Sequence, residues 1–130
     1  MHEHIPDDSK SVLIVDDEKD ICFMLTNILK RKALNISSVH TITDADSFLQ
    51  QTKTSLVFLD NNLPDGRGID FLPMLKKLNP NSKVIMITAH DNPSDRISAM
   101  QSGADEFIGK PFTRQIINTT VDKLLSIKTI

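Results

Sequence analysis

The chain has a single cysteine, Cys22, among its 130 residues. It can therefore close no internal disulfide and supply no multi-cysteine zinc site, which fits a reducing compartment. Cys22 falls inside an amphipathic helical pattern, where a thiol serves as a small apolar filler. No apolar run approaches the ~18 residues of a membrane span, and residues 1–10 lack the apolar stretch of a signal peptide. A cytoplasmic location is expected, with no membrane partner. An excess of one charge is also missing: 15 Lys and Arg stand against 17 Asp and Glu, a net charge of −2. Nothing in that balance favours nucleic acid or an anionic membrane. There is no Gly-x-x-x-x-Gly-Lys-Ser/Thr stretch, which excludes a P-loop nucleotidase, and no internal repeat, low-complexity tract or interdomain linker.

What is present is an alternation of apolar runs and helical stripes. Residues 1–9 are polar, contain Pro6 and read as a flexible tail, in which His2 and His4 are incidental; residues 10–130 form one domain. The run at 12–15 is continuous and β-branched, as in a strand covered on both faces, and it stops at Asp16-Asp17. Ile21, Met24, Leu25, Ile28 and Leu29 then recur at helical spacing, with Lys30, Arg31 and Lys32 at the carboxyl end. A weaker strand at 36–39 precedes a helix that Thr43 is expected to cap, with Ala45, Phe48 and Leu49 on its buried face. The run 56–59 leads into Asp60, a turn over 61–68 and a helix over 69–78, which Pro73 should bend unless it falls near the first turn.

The run 84–87 ends at Thr88-Ala89-His90, and Pro93-Ser94-Asp95 opens a short helix closed by Gly103 in a left-handed conformation. Residues 106–109 make the shortest and most polar strand, suited to a sheet edge. A last helix over 113–127 places Ile116, Ile117, Thr120, Val121, Leu124 and Leu125 on its apolar side. Five strands alternating with five helices predict an α/β fold: a doubly wound, five-stranded parallel sheet with right-handed crossovers.

In such a sheet the carboxyl ends of the strands share one rim. The pair Asp16-Asp17, then Asp60, Thr88 and Lys110 each follow a separate run, so three carboxylates, a hydroxyl and an ammonium are expected to meet there. Crowded carboxylates raise at least one pKa unless a cation offsets them, and hard oxygen donors suit Mg²⁺ better than a soft metal. An aspartate can also accept a phosphoryl group covalently, with charge on the equatorial oxygens stabilised by a cation, a hydroxyl and an ammonium.

These motifs, in this order and each at a strand end, resemble the receiver domain of two-component response regulators over residues 10–127. The resemblance implies a flavodoxin-like sheet of strand order 2-1-3-4-5. It implies Asp60 as phosphoacceptor and Asp17 as direct ligand of Mg²⁺, or of Mn²⁺ in its place, with Asp16 acting through water. Asn62 would offer its backbone carbonyl to the metal and its side chain to the pocket. Thr88 matches the switch hydroxyl, Lys110 the ammonium that pairs with the acceptor and then with its phosphoryl group, and Lys110-Pro111 the cis peptide of such domains. Phe107 stands at the switch aromatic, where tyrosine is frequent; without a hydroxyl, its inward preference would rest on packing alone. Asn62 and His90 occupy positions that tune dephosphorylation.

The implied partners are a sensor histidine kinase or a histidine phosphotransfer protein, and a downstream protein, an output domain or a second copy at the face of the fourth helix, fifth strand and fifth helix. The implied activity is not that of a conventional enzyme: the domain catalyses its own phosphorylation from phosphohistidine and its own dephosphorylation. A pseudo-receiver that keeps the fold without being phosphorylated is disfavoured because no required group is missing. A phosphoaspartyl hydrolase is disfavoured because Asp60-Asn61-Asn62 lacks an acidic residue two places after the first. The chain ends where the fifth helix should, as expected both of a stand-alone receiver and of a domain from a longer regulator.

Overall fold

The computed structural model describes residues 10–127; the expected N-terminal tail with His2 and His4 lies outside the described residues. Seven strands and five helices follow in the order β1 (Lys10–Val15), α1 (Lys19–Leu29), β2 (Leu34–Val39), α2 (Ile42–Gln51), β3 (Leu56–Asp60), β4 (Asn62–Leu63), β5 (Gly66–Arg67), α3 (Gly68–Leu78), β6 (Lys83–Thr88), α4 (Pro93–Gln101), β7 (Glu106–Gly109) and α5 (Arg114–Leu125). Five strands form one parallel sheet in the order β2-β1-β3-β6-β7, which is the expected order once the small antiparallel pair β4-β5 is set aside. That pair occupies the loop after Asp60, which the sequence reads as a plain turn.

Alternation along the strands divides the interior in two. Leu13, Val15, Val57, Leu59, Val84, Met86 and Phe107 join Leu49, Leu72, Leu75 and Ala99 on one side, under α2, α3 and α4. Val12, Ile14, Leu56, Phe58, Ile85, Ile87 and Ile108 join Leu25, Leu29, Ile117 and Val121 on the other, under α1 and α5. Each fully buried Leu, Ile or Phe contributes roughly 1.5–3 kcal/mol, and the two layers together fix the sheet that carries the rim.

Several local expectations need correction. The cap of α2 is Thr41, in extended conformation, whose hydroxyl accepts from Asp44 N–H at 3.0 Å. Thr43 lies inside the helix; its hydroxyl donates to Asp65, and the carboxylate of Asp65 also accepts the free Ile42 and Thr43 N–H groups at 2.8 and 2.9 Å. Those first-turn amides have no helical partner, and a neighbouring loop satisfies them. Met24 and Ile116 each remain 44% exposed, so the buried stripes of α1 and α5 are narrower than the apolar residues alone imply, and Cys22 takes a buried place in α1. Pro73 is the sixth residue of α3, beyond its first turn, and the helix continues to Leu78. Asn92 caps α4 through its side chain with Pro93 at the first position, and Gly103 follows the helix with φ +114°. β7 is a sheet edge, as its short polar run implies.

Candidate functional site

The rim assembles from the ends of β1, β3, β6 and β7. β1 and β3 are paired neighbours, with Val15 opposite Leu59, so Asp16 and Asp60 emerge side by side. Asp16 is fully buried, Asp60 is 2% exposed and Asp17 faces solvent. One carboxylate oxygen from each of the three lies within 4.8 Å of the others. From the β7–α5 connection, Lys110 Nζ reaches to 2.9 Å from Asp16 Oδ2 and 3.7 Å from Asp60 Oδ1, with its side chain only 9% exposed. The Lys110-Pro111 peptide is cis, as expected.

The electrostatics follow from this crowding. Burial, reinforced by the charge of Asp16 and opposed by Lys110, pushes the Asp60 carboxyl up to about 6. Burial also raises the Asp16 pKa, against the adjacent Lys110 ammonium and the Glu18 N–H, which donates to Asp16 Oδ1 at 2.8 Å. For Lys110, burial works to lower the pKa, but the close carboxylates of Glu18 and Asp16 and the charge of Asp60 outweigh it, and the net shift is upward. Asp16 Oδ2 is buried without a well-directed hydrogen bond, since Lys110 lies beside it off the hydrogen-bonding direction. A buried carboxylate oxygen held by an ion pair alone, with two further acids clustered beside it, is a donor set that fits a hard divalent cation.

The remaining expected residues are placed as follows. Thr88 is buried at the end of β6; its hydroxyl accepts the His90 N–H at 3.1 Å and its carbonyl accepts the Lys110 N–H at 2.8 Å, which ties the two loops together. His90 is exposed and meets Thr88 through its backbone. Asn62 begins β4 with its side chain exposed, and its backbone N–H helps to hold down the pKa of Asp60. Phe107 is buried in the core beneath α4.

Four residues escaped the sequence reading. Glu18 accepts from Lys110 Nζ at 2.8 Å across the rim. His40 donates from Nδ1 to the Asp16 carbonyl at 2.9 Å, which fixes its tautomer. Asn61 is buried and anchors α3, its side-chain oxygen accepting the Ile69 N–H and its carbonyl the Gly68 N–H. At Gly68 a Cβ would sit 2.2 Å from the Asp60 carbonyl oxygen, so only glycine allows α3 to start against the loop that follows Asp60. The Asp-Asp-Glu run and the loop glycine were visible signals; the other two depend on contacts through space.

The family model described as the response regulator receiver domain matches residues 12–122. The chain belongs to that family. It is a receiver domain of two-component response regulators. The transcriptional regulatory protein TcrX of Mycobacterium tuberculosis is 34% identical over 103 residues, covering 79% of this chain and 44% of TcrX. The signal receiver domain of a Luxo repressor protein from Vibrio parahaemolyticus is similar with a TM-score of 0.86 at 30% identity, covering 91% of each chain. The beryllofluoride-activated NtrC4 receiver domain, solved as a dimer, is similar with a TM-score of 0.85 at 31% identity, covering 89% of this chain and 96% of that one. The receiver spans about half or less of the curated relatives it matches. No helix among the described residues is long and apolar enough to cross a membrane.

Proposed function

We propose that Asp60 accepts a phosphoryl group from phosphohistidine on a sensor histidine kinase or phosphotransfer protein, within a receiver domain spanning residues 10–130. The observation that carries this reading is the placement of the buried Asp60 carboxylate beside Asp16 and Asp17 and 3.7 Å from the Lys110 ammonium. A carboxylate oxygen of Asp60 attacks phosphorus, a P–O bond forms as the P–N bond breaks, and the imidazole leaves with a proton from solvent. Hydrolysis of the acyl phosphate by water then restores the carboxylate and releases inorganic phosphate. Asp16, Asp17, Asp60 and the Asn62 carbonyl would hold Mg²⁺, or Mn²⁺, which supplies charge neutralisation at the phosphoryl oxygens. Lys110 takes a second oxygen, and the Thr88 hydroxyl takes a third after giving up its bond from His90.

Phosphorylation then alters the face of α4, β7 and α5, where a groove of about 510 Å³ runs beside Phe107 and Arg96. An output domain, a downstream protein or a second copy docks there; that the activated NtrC4 receiver was solved as a dimer supports a second copy as one such partner. His90 and Asn62, both exposed and each two residues beyond a residue of the site, tune access of the hydrolytic water. The kinase donor implies a cytoplasmic location.

Intact-mass measurement after incubation with acetyl phosphate and Mg²⁺ tests the reading. One added phosphoryl group is expected, lost in Asp60→Asn and on chelation. An unchanged wild-type mass rejects the assignment of Asp60.

A further inference from the structure

Lys110 divides its ammonium among three carboxylates, and the shortest contact is with none of the clustered acids. Glu18 Oε1 accepts at 2.8 Å, against 2.9 Å to Asp16 and 3.7 Å to Asp60. The backbone that presents Glu18 is fixed on both sides. Its N–H is bound to Asp16 Oδ1, and as the cap residue of α1 its carbonyl accepts the N–H groups of Ile21 and Cys22. The Glu18 side chain is more than half exposed, whereas Lys110 is enclosed, so Glu18 is the solvent-side member of the set and draws the ammonium outward. An ammonium has three hydrogens, and here the directed bond goes to Glu18 while Asp60 lies beyond hydrogen-bonding reach.

We infer that Glu18 is a positioning residue that holds Lys110 on the outer side of the rim and so opposes the phosphorylated state. The inference rests on the reading of Asp60 as acceptor: Lys110 Nζ stands 3.7 Å from Asp60, and for it to close on a phosphoryl oxygen there it must give up part of its hold on Glu18. Whatever stability that bond gives the resting state is lost on phosphorylation, so removing it shifts the balance toward the occupied form. Since Glu18 is solvent-facing, the effect is modest and screened by salt.

The test measures the affinity of the full chain for beryllofluoride with Mg²⁺ and, separately, the NMR signals of the Lys110 side chain in metal-free protein. Glu18→Gln is expected to tighten beryllofluoride binding about two- to fivefold at low salt, and less at high salt. Glu18→Asp, which keeps the charge but is one methylene short, is expected to do the same and to move the Lys110 Nζ and Cε resonances as Glu18→Gln does. Tighter binding in Glu18→Gln with none in Glu18→Asp would assign the effect to general charge repulsion and overturn the inference. Unchanged affinity in both variants, or unmoved Lys110 signals, overturns it too. If wild type itself binds no beryllofluoride, the acceptor reading fails instead, and the Lys110 signals still decide whether Glu18 positions the ammonium.

Discussion

The guanidinium of Arg96 in α4 lies 4.8 Å from the centre of the Phe107 ring in β7 and donates to the carbonyl of the same residue at 3.1 Å. Its other terminal nitrogen donates to the two carboxylate oxygens of Asp91 at 3.0 and 3.1 Å. A phenylalanine has no hydroxyl with which to choose between inward and outward positions. Its buried state here rests on packing and on Arg96 together, where the sequence alone predicts packing only.

Arg96→Ala should therefore loosen the ring as well as the helix. The expected loss is about 1 kcal/mol in urea unfolding, from the cation–π contact and the hydrogen bond at a half-exposed site. Circular dichroism is the suitable probe, since the chain contains no Trp or Tyr. Unaltered ring-current shifts around Phe107 would count against the tether.

The raised pKa of Asp60 gives stability a definite dependence on pH. Its folded value of about 6 exceeds the ordinary 3.8, so the folded chain holds this proton more tightly than the unfolded chain does. In metal-free protein, stability is then greatest below about pH 4 for this group and declines as pH rises through about 6, an effect of order 2–3 kcal/mol by neutral pH. Asp60→Asn is expected to raise the melting temperature at pH 7.5 and flatten the decline. Saturating Mg²⁺ should stabilise wild type at pH 7.5 more than at pH 5. A variant that melts lower than wild type at every pH would refute the assignment.

Gly68→Ala places a methyl group where the Asp60 carbonyl stands, and backbone cannot swing aside as a flexible side chain can. We expect a loss of about 1–3 kcal/mol and, on the proposed role of Asp60, slower phosphorylation by acetyl phosphate, because the strain falls on the Asp60 backbone. Wild-type phosphorylation kinetics in this variant would show that α3 and the loop are not coupled.

Capping separates two neighbouring threonines. Thr41→Ala removes the side-chain cap of α2 and is expected to cost about 1 kcal/mol. Thr43→Ala leaves that cap in place and should cost less, as measured by denaturant midpoints at unchanged slope. Equal costs would return Thr43 to the role that its spacing suggested.

The thiol of Cys22 is pushed up to about 11 by burial and then by the charge of Asp16, and it donates to the Asp16 carbonyl. Iodoacetamide at pH 8 should leave it nearly unmodified in the folded chain and alkylate it readily in urea. Rapid reaction under native conditions would mean that α1 opens locally.

The sequence disclosed most where burial is two-sided. β1, β3 and β6 are covered by helices on both faces, so each is a continuous apolar run with a polar stop, and the stops are Asp16, Asp60 and Thr88. β2 is an edge strand with a half-exposed pattern, and it begins at Leu34, two residues before its apolar pattern predicts. The acids and Lys110 were legible because each ends a strand; their supports were not. Glu18 meets Lys110 across 92 positions, and Asp65 meets Thr43 across 22, distances at which no periodicity survives. Thr41 was overlooked for a different reason: either threonine offers a hydroxyl, and only backbone conformation decides which one caps.

The four residues of β7 bond to a single neighbouring strand, yet Phe107 is lodged in one interior and Ile108 in the other. Adjacent peptide units thus clasp both helical layers at the margin of the sheet. Any force on Phe107 from the α4 side would therefore be felt by Ile108 and the footing of α5, through two adjacent peptide units at the rim of the sheet.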